Sequence, residues 1–347
     1  MTVNRRTVTL IIIVVIVVGG VYGITLWQRA RETQQMLSDL MSRDHGVATK
    51  AMTGLRDRTG AVSDNLISYL DRGHDDVRWR AAMLLGAVNT RASREALIDA
   101  LRDPSPDVRL NAALSLGHLG ATKTAARIAM LAADAGEPVA VRTAAVRALE
   151  LLRAGEQMAT VVEILEDRPP VPEPEEETEE EAETEGTAEA EEPAEEEEEE
   201  EPVDETAPLR EEAARALARI APVAPAAAGE EGSASEASPI LRAADILRDS
   251  VDPEVEPSDV VRQAACYALS DLAEATADDE VQARAVKALI FALDDEIGDV
   301  RIAAAHALRL LRPPTELAER VGDAFDRAVN DSHYWVRHAA RKAVEGG

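Results

Sequence analysis

A nine-residue frame, apolar-Arg-x-x-Ala-x-x-x-Leu, recurs along the chain and restricts its possible folds more than any other feature. Its apolar positions are Val77, Val108, Val141, Leu209, Val261, Val300 and Val336, followed directly by Arg78, Arg109, Arg142, Arg210, Arg262, Arg301 and Arg337. Four residues past each apolar position stands alanine: Ala81, Ala112, Ala145, Ala213, Ala265, Ala304 and Ala340. Eight past it come Leu85, Leu116, Leu149, Leu217, Leu269 and Leu308, with Val344 closing the series. Residues four apart stack on one face of an α-helix, so each frame predicts one amphipathic helix. The small alanine lets a second helix approach closely, as stacked repeats require. The distance is 31 residues from Val77 to Val108 and 33 to Val141, a period that signals a solenoid.

Composition agrees with helix packed on helix. Apolar residues make up 46% of the 347 residues, but aromatics only 3%, and alanine is abundant. The net charge of -29 is concentrated, since residues 173 to 205 hold 21 Asp or Glu and no Lys or Arg. Setting those 21 aside leaves -8 on the rest of the chain. With no strongly basic face and no interleaved aromatics, phosphate repulsion disfavours nucleic-acid binding. The single cysteine, Cys266, follows Ala265 on the helix stripe and reads as a small core residue.

Residues Val8 to Trp27 form an uncharged, mostly apolar run of 20 residues, aliphatic without interruption from Leu10 through Val18. As a helix the run spans about 30 Å, the thickness of the bilayer hydrocarbon. Arg5 and Arg6 precede it, and Trp27, Arg29 and Arg31 follow it at the other interface. It is too long for a signal-peptide core, and no small-x-small cleavage site follows. An uncleaved single-pass anchor is expected, with residues 1–7 as a short tail inside and the repeats extracytoplasmic. Gly19 and Gly23 form a small-xxx-small pattern that would let two anchors pack as a weak dimer.

Between residues 32 and 60, Val47, Ala51 and Leu55 repeat the spacing with Ala48 in place of the arginine. This predicts a degenerate capping unit with Asp44 as N-cap. Further units fall over residues 63–90, 93–120, 122–154, 156–221, 239–274, 278–312 and 315–346. In the second of these, Ser105 is placed to cap the framed helix, Pro106 suits its first position and Asp107 its positive end. Thr206 and Ser258 occupy the same offset before Leu209 and Val261. Arg341 and Lys342 replace the small residues seen at Ala113 or Ala305, as in a terminal cap.

The run Asp107-Val-Arg-Leu-Asn-Ala-Ala-Leu-Ser-Leu-Gly117 resembles the HEAT repeat, and more closely its bacterial subtype named after phycobilisome lyases. The resemblance covers roughly residues 63 to 346 apart from insertions, and Val344-Glu-Gly departs from it. It implies an all-α fold, an α-solenoid of about eight HEAT-like hairpins whose second helices line the concave surface. For chemistry it is nearly silent, since the same repeat serves adaptors, scaffolds and a few enzymes.

From Arg168 to Leu209 the chain reads Pro-Pro-Val-Pro and then Glu-rich sequence, including the unbroken run Glu195 to Glu201. Such dense like charge predicts a disordered insertion at 169–206. Residues 156 to 167 and 207–221 read as the first and second helices of one unit, so the insertion leaves from a turn inside a repeat. Two readings stay open: a solubilising loop, or an electrostatic arm that recruits basic partners or divalent cations. Residues 222–238, rich in Ala, Pro, Gly and Ser, read as a flexible linker before the repeats at 239–346.

Chemistry-bearing motifs are missing from the sequence. None of His45, His74, His118, His306, His333 and His338 lies in an H-E-x-x-H or paired His-Glu arrangement. HEAT-like hydroxylases carry such pairs, so a di-iron enzyme is not expected, nor any other cofactor or metal. The repeated arginines could form an anion-binding ladder, but one per unit beside turn Asp103, Asp295 and Asp331 suits inter-repeat Asp–Arg pairing better. Off the apolar stripe, Trp79, Arg80, Asn111, Tyr267, His306 and Trp335 are the candidates to face a partner. The expected function is a membrane-anchored scaffold that binds an unidentified protein, not an enzyme. The rivals are a bilin-lyase-like enzyme on the same solenoid, and a spacer in which only the acidic arm binds.

Overall fold

The structure is a computed structural model that describes residues 5–168, 204–223, 238–276 and 278–346, with side chains from residue 17 onward. Among the described residues it is all-helical and divides into two units, Met1–Ala154 and Gly155–Gly347. The first unit holds α1 (Arg5–Leu40), α2 (His45–Leu55), α3 (Ser63–Arg72), α4 (Asp75–Leu85), α5 (Arg91–Ala100), α6 (Pro106–His118), α7 (Ala125–Ala133) and α8 (Val139–Leu152). The second holds α9 (Met158–Glu166), α10 (Ala207–Ile220), α11 (Pro239–Asp249), α12 (Asp259–Thr276), α13 (Asp279–Ala292), α14 (Gly298–Leu310), α15 (Ala318–Ala328) and α16 (Tyr334–Gly346).

Each unit is a HEAT-like stack of helical hairpins. In the first, α3 pairs with α4, α5 with α6 and α7 with α8, while the framed helices α4, α6 and α8 stack in turn on one another. In the second, α10, α12, α14 and α16 form the corresponding stack, backed by α9, α11, α13 and α15. The frame accounts for the seam: Val77, Ala81, Leu85, Val108, Ala112, Leu116, Val261, Ala265 and Leu269 are all fully buried. Each large member contributes about 2 kcal/mol on leaving water. Close approach is explicit at Gly117, where a Cβ would come within 3.0 Å of the Ala148 Cα on α8.

The degenerate first unit packs in a shifted register. Asp44 caps α2 through the Gly46 and Val47 N–H groups, as expected. Ala48, Ala51, Met52 and Leu55 are buried, whereas Val47 is exposed. Val47 lies in the first turn of a helix packed mainly against α1, and the side chains reaching that partner start one residue later. Val344, the last frame position, is also exposed, near the end of α16.

The cap at Ser105 differs from expectation. Its hydroxyl makes no cap bond to the helix; instead its N–H donates to the Asp103 carboxylate, which organises the turn. Thr206 and Ser258 likewise donate N–H to Asp204 and Glu256. An acidic residue two positions earlier has taken over the organising role.

Much of the anticipated membrane segment, 8–27, lies in residues whose side chains are outside the described set, and among the described residues no helix is long and apolar enough to cross a membrane. α1 itself runs unbroken over 36 residues. Its described apolar residues Val17, Val18, Val21, Tyr22, Ile24, Leu26 and Trp27 are all exposed, while Leu37 and Leu40 are buried. Gly19 and Gly23 face open space. Of the expected acidic insertion, 169–203 lies outside the described residues, whereas Asp204 to Thr206 belong to the fold. Most of the expected linker, 224–237, is likewise outside them.

α6 and α8 end in the same way. Gly120 and Arg153, each twelve residues past its frame valine, both adopt the left-handed conformation, with φ of 63° and 48°. The Ala121 and Ala154 N–H groups then reach back to the Leu116 and Leu149 carbonyls, closing the helix. Glycine adopts this geometry freely, whereas an L side chain does so under strain. Arg153→Gly is therefore expected to raise stability by about 1 kcal/mol, measured by urea unfolding followed by circular dichroism.

Candidate functional site

The frame arginines tie each repeat to the next turn. Arg78 donates from Nε and Nη2 to the two Asp103 oxygens, both at 2.8 Å. Arg262 does the same to Asp295 at 2.9 and 3.3 Å, and Arg301 to Asp331 at 2.8 and 3.0 Å. Arg210 grips Glu256 at 3.1 and 2.9 Å, and Arg109 donates to one oxygen of Glu137. The remaining nitrogen, Nη1, binds carbonyls of the arginine's own turn: Gly73 for Arg78, Asp103 and Pro104 for Arg109, Glu256 and Pro257 for Arg262.

The carboxylates of Asp103, Glu256, Asp295 and Asp331 have a second duty, accepting from the backbone N–H two residues on, as Asp295 does from Ile297 and Asp331 from His333. One rung thus fixes a turn and a stacking register together. Glu137 and Glu256 were not among the acids expected in this role. Their signal is positional: Asp103, Asp204, Glu256, Asp295 and Asp331 each stand five residues before a frame apolar residue, with Glu137 one place later. Arg142 departs from the pattern and donates from Nε to the Ala132 carbonyl.

The roots of the acidic insertion meet in one ionic cluster. Arg168, the last described residue before it, lies 3.8 Å from Glu256 and donates to Ser250. Asp204, the first after it, binds Arg210, whose other edge holds Glu256. Arg210 and Glu256 are both fully buried. Burial acts to raise the Asp204 carboxyl, but hydrogen bonds from Arg210 and Thr206 outweigh it and hold the group below its ordinary value.

The six surface candidates do not share one environment. Arg80 is 1% exposed and donates from Nη1 to the Leu40 and Ser42 carbonyls at 3.0 Å each, so it closes the end of α1 instead of facing a partner. Its guanidinium lies 5.3 Å from the half-buried Trp79 ring. Asn111 bonds back to the Asp107 carbonyl and lines a groove of about 610 Å³ across α2, α4 and α6, with Met52, Met83, Leu114 and His118. In the second unit, Tyr267 and Trp335 are exposed and His306 is half-buried. Burial, then Arg309, His338 and Lys342, lower the His306 pKa, so this imidazole is neutral near pH 7. Cys266 is fully buried, and burial pushes its thiol far up. Among the described residues no group of three or more His, Cys, Asp or Glu side chains is placed to hold a metal ion.

Stacked hairpins joined by arginine rungs define an α-helical repeat protein. Residues 63–150 match the family described as HEAT repeats. The Escherichia coli protein YibA is 17% identical with a TM-score of 0.50, over 90% of this chain and 92% of that one, a likeness of fold alone. The complex of CpcE and CpcF of phycocyanin lyase from Nostoc sp. is 20% identical with a TM-score of 0.38, covering 80% and 94%. Human deoxyhypusine hydroxylase is 20% identical with a TM-score of 0.31, covering 91% and 95%. No curated protein sequence matches the chain.

Glu256→Gln leaves Arg210 buried with a weakened partner and should cost about 3 kcal/mol of unfolding free energy. The loss would show as a lower urea midpoint. Acid should act through the same rungs. Burial raises Asp331 and the bonds from Arg301 and the His333 N–H lower it by more, so its folded pKa, like that of Asp204, lies below the unfolded one. The unfolded chain then binds protons first, and the stabilisation is complete above about pH 5 and lost as pH falls through the depressed values. Asp331→Asn should flatten the fall in thermal midpoint between about pH 5 and 3.

Proposed function

We propose that this chain is a membrane-anchored scaffold that offers the second-helix faces of its HEAT repeats to a protein partner, without catalysis of its own. The observation that carries this reading is how the rungs and the seam divide the framed helices. They consume the frame positions and leave a row six residues past each frame apolar residue free of the core. In the first unit this row brings Met83 and Leu114 to the groove over α2, α4 and α6. In the second it brings Tyr267 and His306 to the surface of α12 and α14. Apolar and aromatic groups at four positions of this row, with Arg147, Arg215 and Lys342 at the other three, suit an extended protein segment with some negative charge.

Anchoring is supported by α1. Its apolar residues from Val17 to Trp27 are exposed on every side of the helix, so none of the described residues covers them. The same helix continues into the first hairpin, where Leu37 and Leu40 are buried and Arg80 donates to the Leu40 carbonyl at its end. In this reading the repeats lie on the extracytoplasmic side and are held firmly at the membrane surface.

A photoreactive residue at Met83 should crosslink a partner in intact membranes, and Leu114→Glu should abolish the adduct. The same probe at Met130, exposed on first helix α7, should give none. Equal adducts at both positions would sink the groove as the binding face, and carbonate extraction of the full chain from membranes would sink the anchor.

A further inference from the structure

The rung pattern leaves one guanidinium half-used. Arg337 donates from Nη1 to the Asp331 and Ser332 carbonyls of its own turn, as Arg301 does to those of Asp295 and Glu296. In Arg78, Arg210, Arg262 and Arg301 the Nε and Nη2 edge then holds both oxygens of a carboxylate. Among the described residues that edge of Arg337 has no partner. Its guanidinium is oriented by two carbonyls and stands 5.9 Å from the Tyr334 ring centroid. It is a pre-set fork for a carboxylate.

The surroundings select for negative charge. α14 and α16 carry Arg301, Arg309, Arg337, Arg341 and Lys342 against two carboxylates, Asp299 and Glu345. Of the five cations only Arg301 is in an ion pair among the described residues. The charged and titratable groups acting on His306 of α14 are Arg309, His338 and Lys342. Exposed Tyr334 and Trp335 pack edge-on at 5.0 Å, and His338 stacks on Tyr334 at 6.1 Å, so Arg337 stands beside a packed aromatic cluster.

We propose that the α14–α16 face, centred on the open edge of Arg337, is a docking site for acidic peptide, and that its occupant is the Glu-rich segment of this same chain, residues 173–201. Charge complementarity argues for it, since the segment between Arg168 and Asp204 holds no Lys or Arg. Reach argues for it as well. α12 and α14 separate α10 from α16, which places the face about 30 Å from the insertion's roots at about 10 Å per helix. Half of the 35 residues from 169 to 203 can extend to about 55 Å. Tethering supplies an effective concentration that a free acidic peptide must compete with.

The test uses the full chain in detergent and a variant with every glutamate from 173 to 201 changed to Gln. The probe is a fluorescent synthetic peptide of residues 173–201, read by anisotropy. The peptide should bind the Gln variant and bind the unaltered chain at least about tenfold more weakly. In the Gln variant, Arg341→Glu with Lys342→Glu, both at exposed positions, should abolish binding, and Arg337→Gln should weaken it by about tenfold. A circular dichroism melt would show that these proteins fold. Absence of binding to the Gln variant, equal affinity for the two chains, or binding indifferent to the charge reversal would each overturn the proposal. A concentration-dependent dimer of the unaltered chain, abolished by the same charge reversal, would overturn its intrachain form.

Discussion

The structure depends on a single recurring contact, an arginine one residue past the frame's apolar position that joins its own turn to the next. Its geometry makes it a two-way constraint. Nη1 closes the turn before its helix, while Nε and Nη2 hold a carboxylate that closes the following turn, as Arg262 does between the Glu256 and Asp295 turns. Stacking register and turn conformation are therefore not independent. Magnitudes separate this role from that of the seam. A buried ion pair contributes little net free energy once desolvation is counted, whereas each buried Val or Leu of the frame contributes about 2 kcal/mol. The seam makes the stack stable, and the rungs set which residue meets which.

The helical part of this was legible because helix periodicity reports which face is buried. Seven frames mapped onto seven helices, with Val77, Val108 and Val261 fully buried. Turn chemistry was less legible. Ser105 stands at a cap position, yet the decisive group is the Asp103 carboxylate two residues earlier, which serves an arginine 25 residues back. A cap rule read locally cannot include an acceptor already committed to a distant donor. Arg80 failed for a related reason. It occupies the same frame offset as Asn111, but the end of α1 lies over it and not over Asn111, and only the fold brings Leu40 to Arg80.

The same rungs explain how one repeat tolerates a long acidic interruption. Loop-closure entropy grows slowly, at about 0.6 kcal/mol per doubling of length, so the cost lies mainly in holding the two ends in register. Here the ends are held ionically. Arg168 and Asp204 meet through Glu256 and Arg210, and Glu256 is at once the rung of the repeat and the organiser of the Ser258 turn. The interruption sits where a rung already existed to close it, so α9 and α10 pair as the helices of any uninterrupted hairpin do.

A ladder of this kind also has a consequence at Arg337. Each arginine is useful in halves, and the half that orders its own turn does not require the next repeat. Arg337 keeps that half, with Nη1 donating to the Asp331 and Ser332 carbonyls, so its own turn alone gives the arginine a structural role there. The other half is then an oriented, partly desolvated fork whose natural complement in this protein is a carboxylate. Interior repeats provide their complement through sequence five residues before the next frame. At Arg337 none of the described residues supplies it, and the chain's greatest density of carboxylates, residues 173 to 205, is rooted in the same unit.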